Sequence, residues 1–191
     1  KTSRSAQQLY EGLEVSGHGT VGLITYMRTD SLRVSEEARQ ATAEFIAEAY
    51  GEKYLPEKPR YYKSRSNAQD GHEAIRPSTV SLTPEKVKNS LSSEQYKLYT
   101  LIWNRFVASM MASCVQNTSK IEIRSTVSGT PEEKYCLFTA SGYSVKFDGF
   151  TVLYNIEDDE KSKLPEGLTK SENVKNKDLN KLQHFTQPPA R

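Results

Sequence analysis

Residues 24–31 read Ile-Thr-Tyr-Met-Arg-Thr-Asp-Ser. Tyr26 and Arg28 are two apart, and on an extended chain residues two apart share a face. That sets a phenol beside a guanidinium. The reference pKa of a phenol is about 10, so only about one in a thousand is ionised at pH 7. A neighbouring cation favours the phenolate, and arginine meets a phosphate with a two-pronged fork. The pair is suited to attack on a phosphodiester, with Tyr26 as nucleophile and Arg28 on the nonbridging oxygens. Asp30 could orient Arg28. The same residues also fit a half-buried strand aromatic beside a surface Arg28–Asp30 pair, and spacing alone favours that plainer account.

A second segment, Asp70-Gly71-His72-Glu73-Ala74-Ile75-Arg76-Pro77, carries a histidine and an arginine four residues apart. A short helix would stack His72 and Arg76 on one face, ending before Pro77. Histidine can carry a proton near neutral pH, and arginine binds phosphate. Glu73 would sit off that face as a structural residue. A polar helix end without a ligand fits equally. His72-Glu73 is no zinc motif, because no second histidine follows one turn later.

Residues 53–76 hold Lys53, Lys58, Arg60, Lys63, Arg65 and Arg76 against Glu57, Asp70 and Glu73, a local excess of three positive charges. Tyr54, Tyr61 and Tyr62 are interleaved. Aromatics among cations suit a nucleic-acid single strand, where bases stack and phosphates pair. A solvated loop fits the same composition. No phosphate-cradling glycine loop occurs, and three scattered histidines build no Ser/His/Asp triad.

The elements around these segments follow from periodicity and caps. Ala6, Leu9, Tyr10 and Leu13 predict a helix over 5–14, broken by Gly17 and Gly19. Val21 to Tyr26 is β-prone. Ser35 before Glu36-Glu37 caps a helix that runs to Tyr50 and stops at Gly51, with Ala38, Ala41, Phe45 and Ala49 inward. Thr83-Pro84 opens a short helix. Ser92 or Ser93 opens the longest, to about Ala112, with Leu98, Leu101, Ile102, Phe106 and Met110 as its core face. Beyond it the chain turns β-rich. Strands are expected at 120–127, 135–139 and 143–147, with a turn at Ser141-Gly142. After a second turn at Asp148-Gly149, strands follow at 150–154 and 184–186. Residues 156–180 read as an exposed excursion, with a mixed-charge run at 157–163. The fold class is therefore α+β, with a helical domain over 1–112 and an antiparallel β-rich segment over 113–191.

The chain has 191 residues and a net charge of only +2, with 36% hydrophobic and 26% charged residues and a mean hydropathy of −0.69. That charge balance argues against holding nucleic acid by bulk attraction alone. Eleven tyrosines, six phenylalanines and several apolar runs argue against disorder. No run is apolar for long enough to span a membrane, and no signal-peptide core follows Lys1. Cys114 and Cys136 are too few for a zinc or disulfide framework and fit a reducing compartment. The chain opens on Lys1 and stops at Gln187-Pro188-Pro189-Ala190-Arg191 without winding down in composition, which reads as a piece of a longer protein.

The two chemistry-bearing segments resemble the motifs of type IA DNA topoisomerases. ITYMRTDS at 24–31 looks like the active-site tyrosine motif, and HEAIRP at 72–77 looks like the second strong motif. AQQLYEG at 6–12, LIWNRFVASMM at 101–111, FDGF at 147–150 and QHFTQPPAR at 183–191 extend the likeness along the chain. Met27 resembles the bacterial topoisomerase I branch, since the topoisomerase III branch usually has proline there.

The resemblance implies that Tyr26 attacks a single-stranded DNA phosphodiester and Arg28 steadies the transferring phosphate. His72 would contact the scissile region by a hydrogen bond. It places DNA contacts at Arg28, Thr29, Asp30, His72 and Arg76, the last as a structural or backbone-contact residue. It also implies strand passage and religation without ATP. Mg²⁺ would be bound by a toprim domain outside this chain, so none is expected in the chain itself. Partners would be single-stranded DNA and the toprim and C-terminal domains of the same polypeptide, in a cytoplasmic, nucleoid-associated enzyme. Two other readings share the motifs: a catalytically silent single-strand-binding or structural module, and the tyrosine module of a reverse gyrase.

Overall fold

The computed structural model describes residues 2–62, 72–126, 134–154, 164–165, 167–175, 178 and 180–187. The chain opens with helix α1 (Thr2–Glu11) and a hairpin of β1 (Leu13–Val15) and β2 (Gly19–Val21). Helices α2 (Glu36–Tyr50), α3 (Pro84–Val87) and α4 (Ser93–Met110) follow. A ribbon of β3 (Val115–Thr126) and β4 (Tyr135–Phe147) comes last, and then a 3-10 turn at Gly149–Tyr154. Both sheets are two-stranded and antiparallel, so the fold is α+β as expected.

Local rules explain the helix ends. Ser35 accepts the Ala38 N–H and caps α2, and the Gly51 N–H closes it onto the Ile46 and Ala47 carbonyls. Thr83 precedes Pro84 at the first turn of α3. Ser92 and Gln95 form a reciprocal capping box on α4. α1 ends earlier than its apolar spacing predicts. Gly12 takes φ +118°, a left-handed value that stops the helix, and Leu13 and Glu14 enter β1 instead.

Two helix faces differ from expectation. α2 buries Thr42 and Ile46, while Ala41 and Ala49 are exposed. Alanine is a weak guide to a face, and the one large aliphatic residue decides the rotation. On α4 the buried seam is Gln95, Tyr99, Trp103, Phe106, Val107 and Met110. Leu101 is 62% exposed, and Leu98 and Ile102 are only half-buried. The aromatics go inward because their polar tips find partners. The Tyr99 hydroxyl donates to the Leu82 carbonyl at 2.6 Å, and the Trp103 ring N–H donates to Val80 at 2.9 Å. Leu9, Leu23, Ile24, Ile46, Val107 and Met111 complete the core. Each such side chain contributes about 1.5–3 kcal/mol on burial.

The β-rich part is simpler than its sequence suggests. β4 is one strand of 13 residues. Gly142 pairs with Ser119 inside it, so Ser141-Gly142 is no turn. Residues 150–154 form the 3-10 turn rather than a strand, and residues 184–186 form none either. The 3-10 turn packs back on the helices: the Phe150 N–H donates to Ala112 at 3.0 Å, and Asn104 donates to Leu153 at 3.2 Å. Tyr54 is 8% exposed and donates to both Asp148 oxygens. That hydrogen bond, with burial, pushes the Tyr54 phenol above its ordinary value.

The segments that carry the motifs are fastened by backbone. Ile24 bridges Pro77 in antiparallel fashion. The Thr25 N–H donates to the Arg76 carbonyl at 2.9 Å, and the Ser78 N–H donates to Leu23 at 3.0 Å. The Thr25 hydroxyl donates to Ala74 at 2.7 Å and accepts the Arg76 N–H at 3.0 Å. Residues 72–77 form no helix here, because this pairing uses their backbone groups, and the chain bends at Ile75. Glu73 locks the other side. One carboxylate oxygen accepts the Ser35 N–H at 2.9 Å, and the other accepts Arg76 Nε at 3.1 Å and Nη2 at 2.6 Å. Burial pushes the Glu73 carboxyl up, but Arg76 and Ser35 together outweigh it and hold it below its ordinary value of 4.5.

Tyr99→Phe removes the hydroxyl that satisfies a buried Leu82 carbonyl. It should cost about 1–2 kcal/mol in denaturant unfolding, with the far-UV spectrum unchanged. Glu73 has a depressed folded pKa, so its contribution is complete above the unfolded value and fades as pH falls through the folded one. Glu73→Gln should therefore be less stable than the parent by about 1–2 kcal/mol at pH 7. The gap should narrow by pH 4, and a gap that stays constant would show that the charge is not its source.

Candidate active site around Tyr26

Tyr26 lies just past the Thr25 clamp, 39% exposed. His72 begins the described part of the partner segment. The clamp brings these residues together: their ring centroids are 5.5 Å apart at a 60° tilt. The last turn of α1 supplies a third ring. Tyr10 meets Tyr26 edge-on, at 5.4 Å and 69°. In the sequence, Tyr10 appears in an apolar helical spacing and in the AQQLYEG segment, with no role in the site. It is 41% exposed and belongs to the site's surroundings rather than to the core.

Arg28 and Asp30 are exposed like Tyr26, while Met27 and Thr29 between them are half-buried. This alternation matches the period-two expectation. The structure does not join the phenol to the guanidinium, however. Among the described residues, no hydrogen bond, ion pair or cation–π contact links Arg28 to Tyr26, and no ion pair links Asp30 to Arg28. Thr29 turns the chain locally, its hydroxyl accepting the Ser31 N–H at 3.0 Å. Arg76 is 13% exposed at its side chain and is committed to Glu73 and, through Nη1, to the Pro77 carbonyl at 2.9 Å.

Arg28 instead opens on a groove of about 960 Å³ that Tyr26 does not line. Its floor is apolar: Met27, Leu32 and Ile75 from the motif segments, and Leu98, Leu101 and Ile102 from α4. Among the described residues, Arg28, Arg60 and Arg105 are its charged residues, and no acidic residue lines it. Of the residues expected as the core face of α4, Leu98, Leu101 and Ile102 thus form a groove wall, while Phe106 and Met110 are buried as expected.

The basic, tyrosine-bearing stretch divides. Tyr54 belongs to the core, against Tyr50 and Phe147, so it is not a base-stacking platform. Tyr61 is exposed with Arg39 over its ring at 4.1 Å. Tyr62 donates to the Ser109 carbonyl at 2.7 Å, and Arg60 donates to Ser113 at 2.7 Å. Lys63, Arg65, Asp70 and Gly71 lie outside the described residues, as does the mixed-charge run at 157–163.

The donor set does not fit Mg²⁺. Among the described residues no three His, Cys, Asp or Glu side chains gather, and both Glu73 oxygens are taken up by Ser35 and Arg76. No helix among the described residues is long and apolar enough to cross a membrane.

Comparison with known proteins places this arrangement. The model of a family described as DNA topoisomerase matches residues 1–191. The structure of full-length topoisomerase I from Thermotoga maritima is similar, at 39% sequence identity and a TM-score of 0.65. The match covers 82% of this chain and 23% of that one, so the chain spans about a quarter of that relative's length. A whole-chain family match, and a ring pair assembled from the two motif segments, lead to one assignment: the chain belongs to the type IA DNA topoisomerase family.

Proposed function

We propose that this chain carries the nucleophile of a strand-passing DNA topoisomerase, with Tyr26 as that nucleophile. One observation carries the reading: an exposed Tyr26 ring set 5.5 Å from the His72 ring across 46 residues of sequence, with their neighbouring backbone hydrogen-bonded. A tyrosine held at a surface with its ring braced and its hydroxyl available suits attack on a polymer too large to be enclosed.

The step balances without a co-reactant. The Tyr26 Oη–P bond forms as the P–O3′ bond of a DNA single strand breaks. The phenolic proton is lost and the departing 3′ oxygen is protonated. The 5′ side stays on the enzyme as a phosphotyrosine. Reversal by the 3′-hydroxyl reseals the strand, so the bond energy is kept and ATP is not needed. Relaxation of negatively supercoiled DNA follows when another strand passes through the break.

Arg28 is exposed and has no ion-pair partner among the described residues, which suits it to a phosphate of the bound strand. His72, beside the phenol, is placed to hydrogen-bond near the scissile phosphate. Exposed Asp30, with half-buried Thr29 beside it, follows and extends the contact. Arg76, held by Glu73, acts through the backbone it fixes. Mg²⁺ belongs, on this reading, to a toprim domain elsewhere in the polypeptide, and no step is assigned to it here. A DNA-acting enzyme of this kind works in the cytoplasm, on the nucleoid.

Tyr26→Phe in the complete polypeptide should abolish the covalent DNA adduct on denaturing gels while single-strand binding changes by less than about threefold. A persisting adduct would overturn the nucleophile assignment. The 191-residue chain alone should bind a single-stranded oligonucleotide weakly and leave supercoiled plasmid unrelaxed in Mg²⁺. Robust relaxation by the purified chain would contradict the division of labour between Tyr26 and an acidic partner domain.

A further inference from the structure

Tyr26 meets two rings, and only one of them lies in the motif pair. Tyr10 and Tyr26 make a T-shaped contact with ring centroids 5.4 Å apart, and His72 lies 5.5 Å away. Both tyrosines are about two-fifths exposed, at 41% and 39%. Among the described residues the Tyr10 hydroxyl makes no hydrogen bond. What Tyr10 offers Tyr26 is therefore a ring.

The fold fixes where that ring stands. Leu9 is fully buried, and its carbonyl accepts the Leu23 N–H at 2.7 Å and the Ile24 N–H at 3.4 Å. Gly22 runs so close that a Cβ there would lie 2.6 Å from the Tyr10 carbonyl oxygen. The strand that leads to Tyr26 is pressed onto residue 10 itself. Glycine at 22 is what lets the two tyrosines approach.

A half-exposed phenol turns about two side-chain torsions, and water does little to hold it. In-line attack needs the oxygen aligned with the breaking P–O bond, and a misplacement of about 1 Å costs about a hundredfold in rate. Edge-to-face contact restricts the ring without touching the hydroxyl. We propose that Tyr10 is a positioning residue: its ring, together with the His72 ring, restricts the Tyr26 phenol and aims its hydroxyl at the scissile phosphate. The inference rests on Tyr26 being the nucleophile.

The test is single-turnover cleavage of a single-stranded oligonucleotide by the complete polypeptide, with its Kd measured separately by fluorescence anisotropy. Tyr10→Phe keeps the ring and should cleave within about twofold of the parent. Tyr10→Ala should lose about tenfold or more in cleavage rate at saturating oligonucleotide, with Kd within about twofold. If Tyr10→Ala melts below the assay temperature, Tyr10→Leu replaces it with the same expected loss. Cleavage at the parental rate in either ringless variant overturns the proposal. So does a loss confined to Kd, or a Tyr10→Phe variant as impaired as the ringless ones. Tyr26→Phe is run alongside. An adduct persisting there removes the underlying reading, whereas a null Tyr26→Phe with a fully active Tyr10→Ala removes only the role of Tyr10.

Discussion

The hydroxyl and backbone of Thr25 hold the site together. This one residue makes four hydrogen bonds to Ala74 and Arg76, and the Ile24–Pro77 bridge beside it sets the register. Tyr26 and His72 have their positions because their chain neighbours are paired. Glu73 acts from the opposite flank, tying the same segment to the capped start of α2 and engaging Arg76 on the way. A partly buried carboxylate with donors on both oxygens is stable only in that setting, so the clamp and the carboxylate depend on each other.

Much of the helical part was legible because its signals are local. Ser35, Thr83-Pro84 and the Ser92–Gln95 box act on backbone groups within a turn, and each ends or begins an element where its sequence says. Faces were less legible, because burial is decided by the partners across the interface. Tyr99 and Trp103 went inward on the strength of two carbonyls, Leu82 and Val80, that no helical periodicity reveals. Leu98 and Leu101, wholly aliphatic, were left lining the groove. Gly142 misled in the other direction: in a strand it pairs as well as any residue, and only the register with Ser119 shows that it is no turn.

The site divides in the same way. Tyr26, Arg28 and His72 stood out by residue type. Their mutual geometry did not follow, since 72–77 was expected as a helical turn and forms no helix. Tyr54 and Tyr61, seven residues apart in one basic stretch, have opposite fates: one in the core against Asp148, the other at the surface under Arg39. Composition treats them alike, and only the path of the chain separates them. Tyr10 lay in the AQQLYEG segment but could not have been linked to Tyr26, because their contact passes through a hairpin and a glycine rather than through any spacing in sequence.

The β3–β4 ribbon has a mechanical consequence. Its two legs leave and rejoin the helical body at nearly one point, where Ala112 accepts from Phe150 and Tyr54 holds Asp148. Along 12 residues of β3, at about 3.3 Å each, the paired strands reach about 40 Å from that root. A swing of only 10° at the root would carry the far ends, at Thr126 and Tyr135, through roughly 7 Å at this reach. The root lies at Tyr54 and Asp148, whereas the hydrogen bonds around Thr25 involve other residues. The ribbon is in that sense a long lever whose pivot shares no hydrogen bond with the tyrosine clamp.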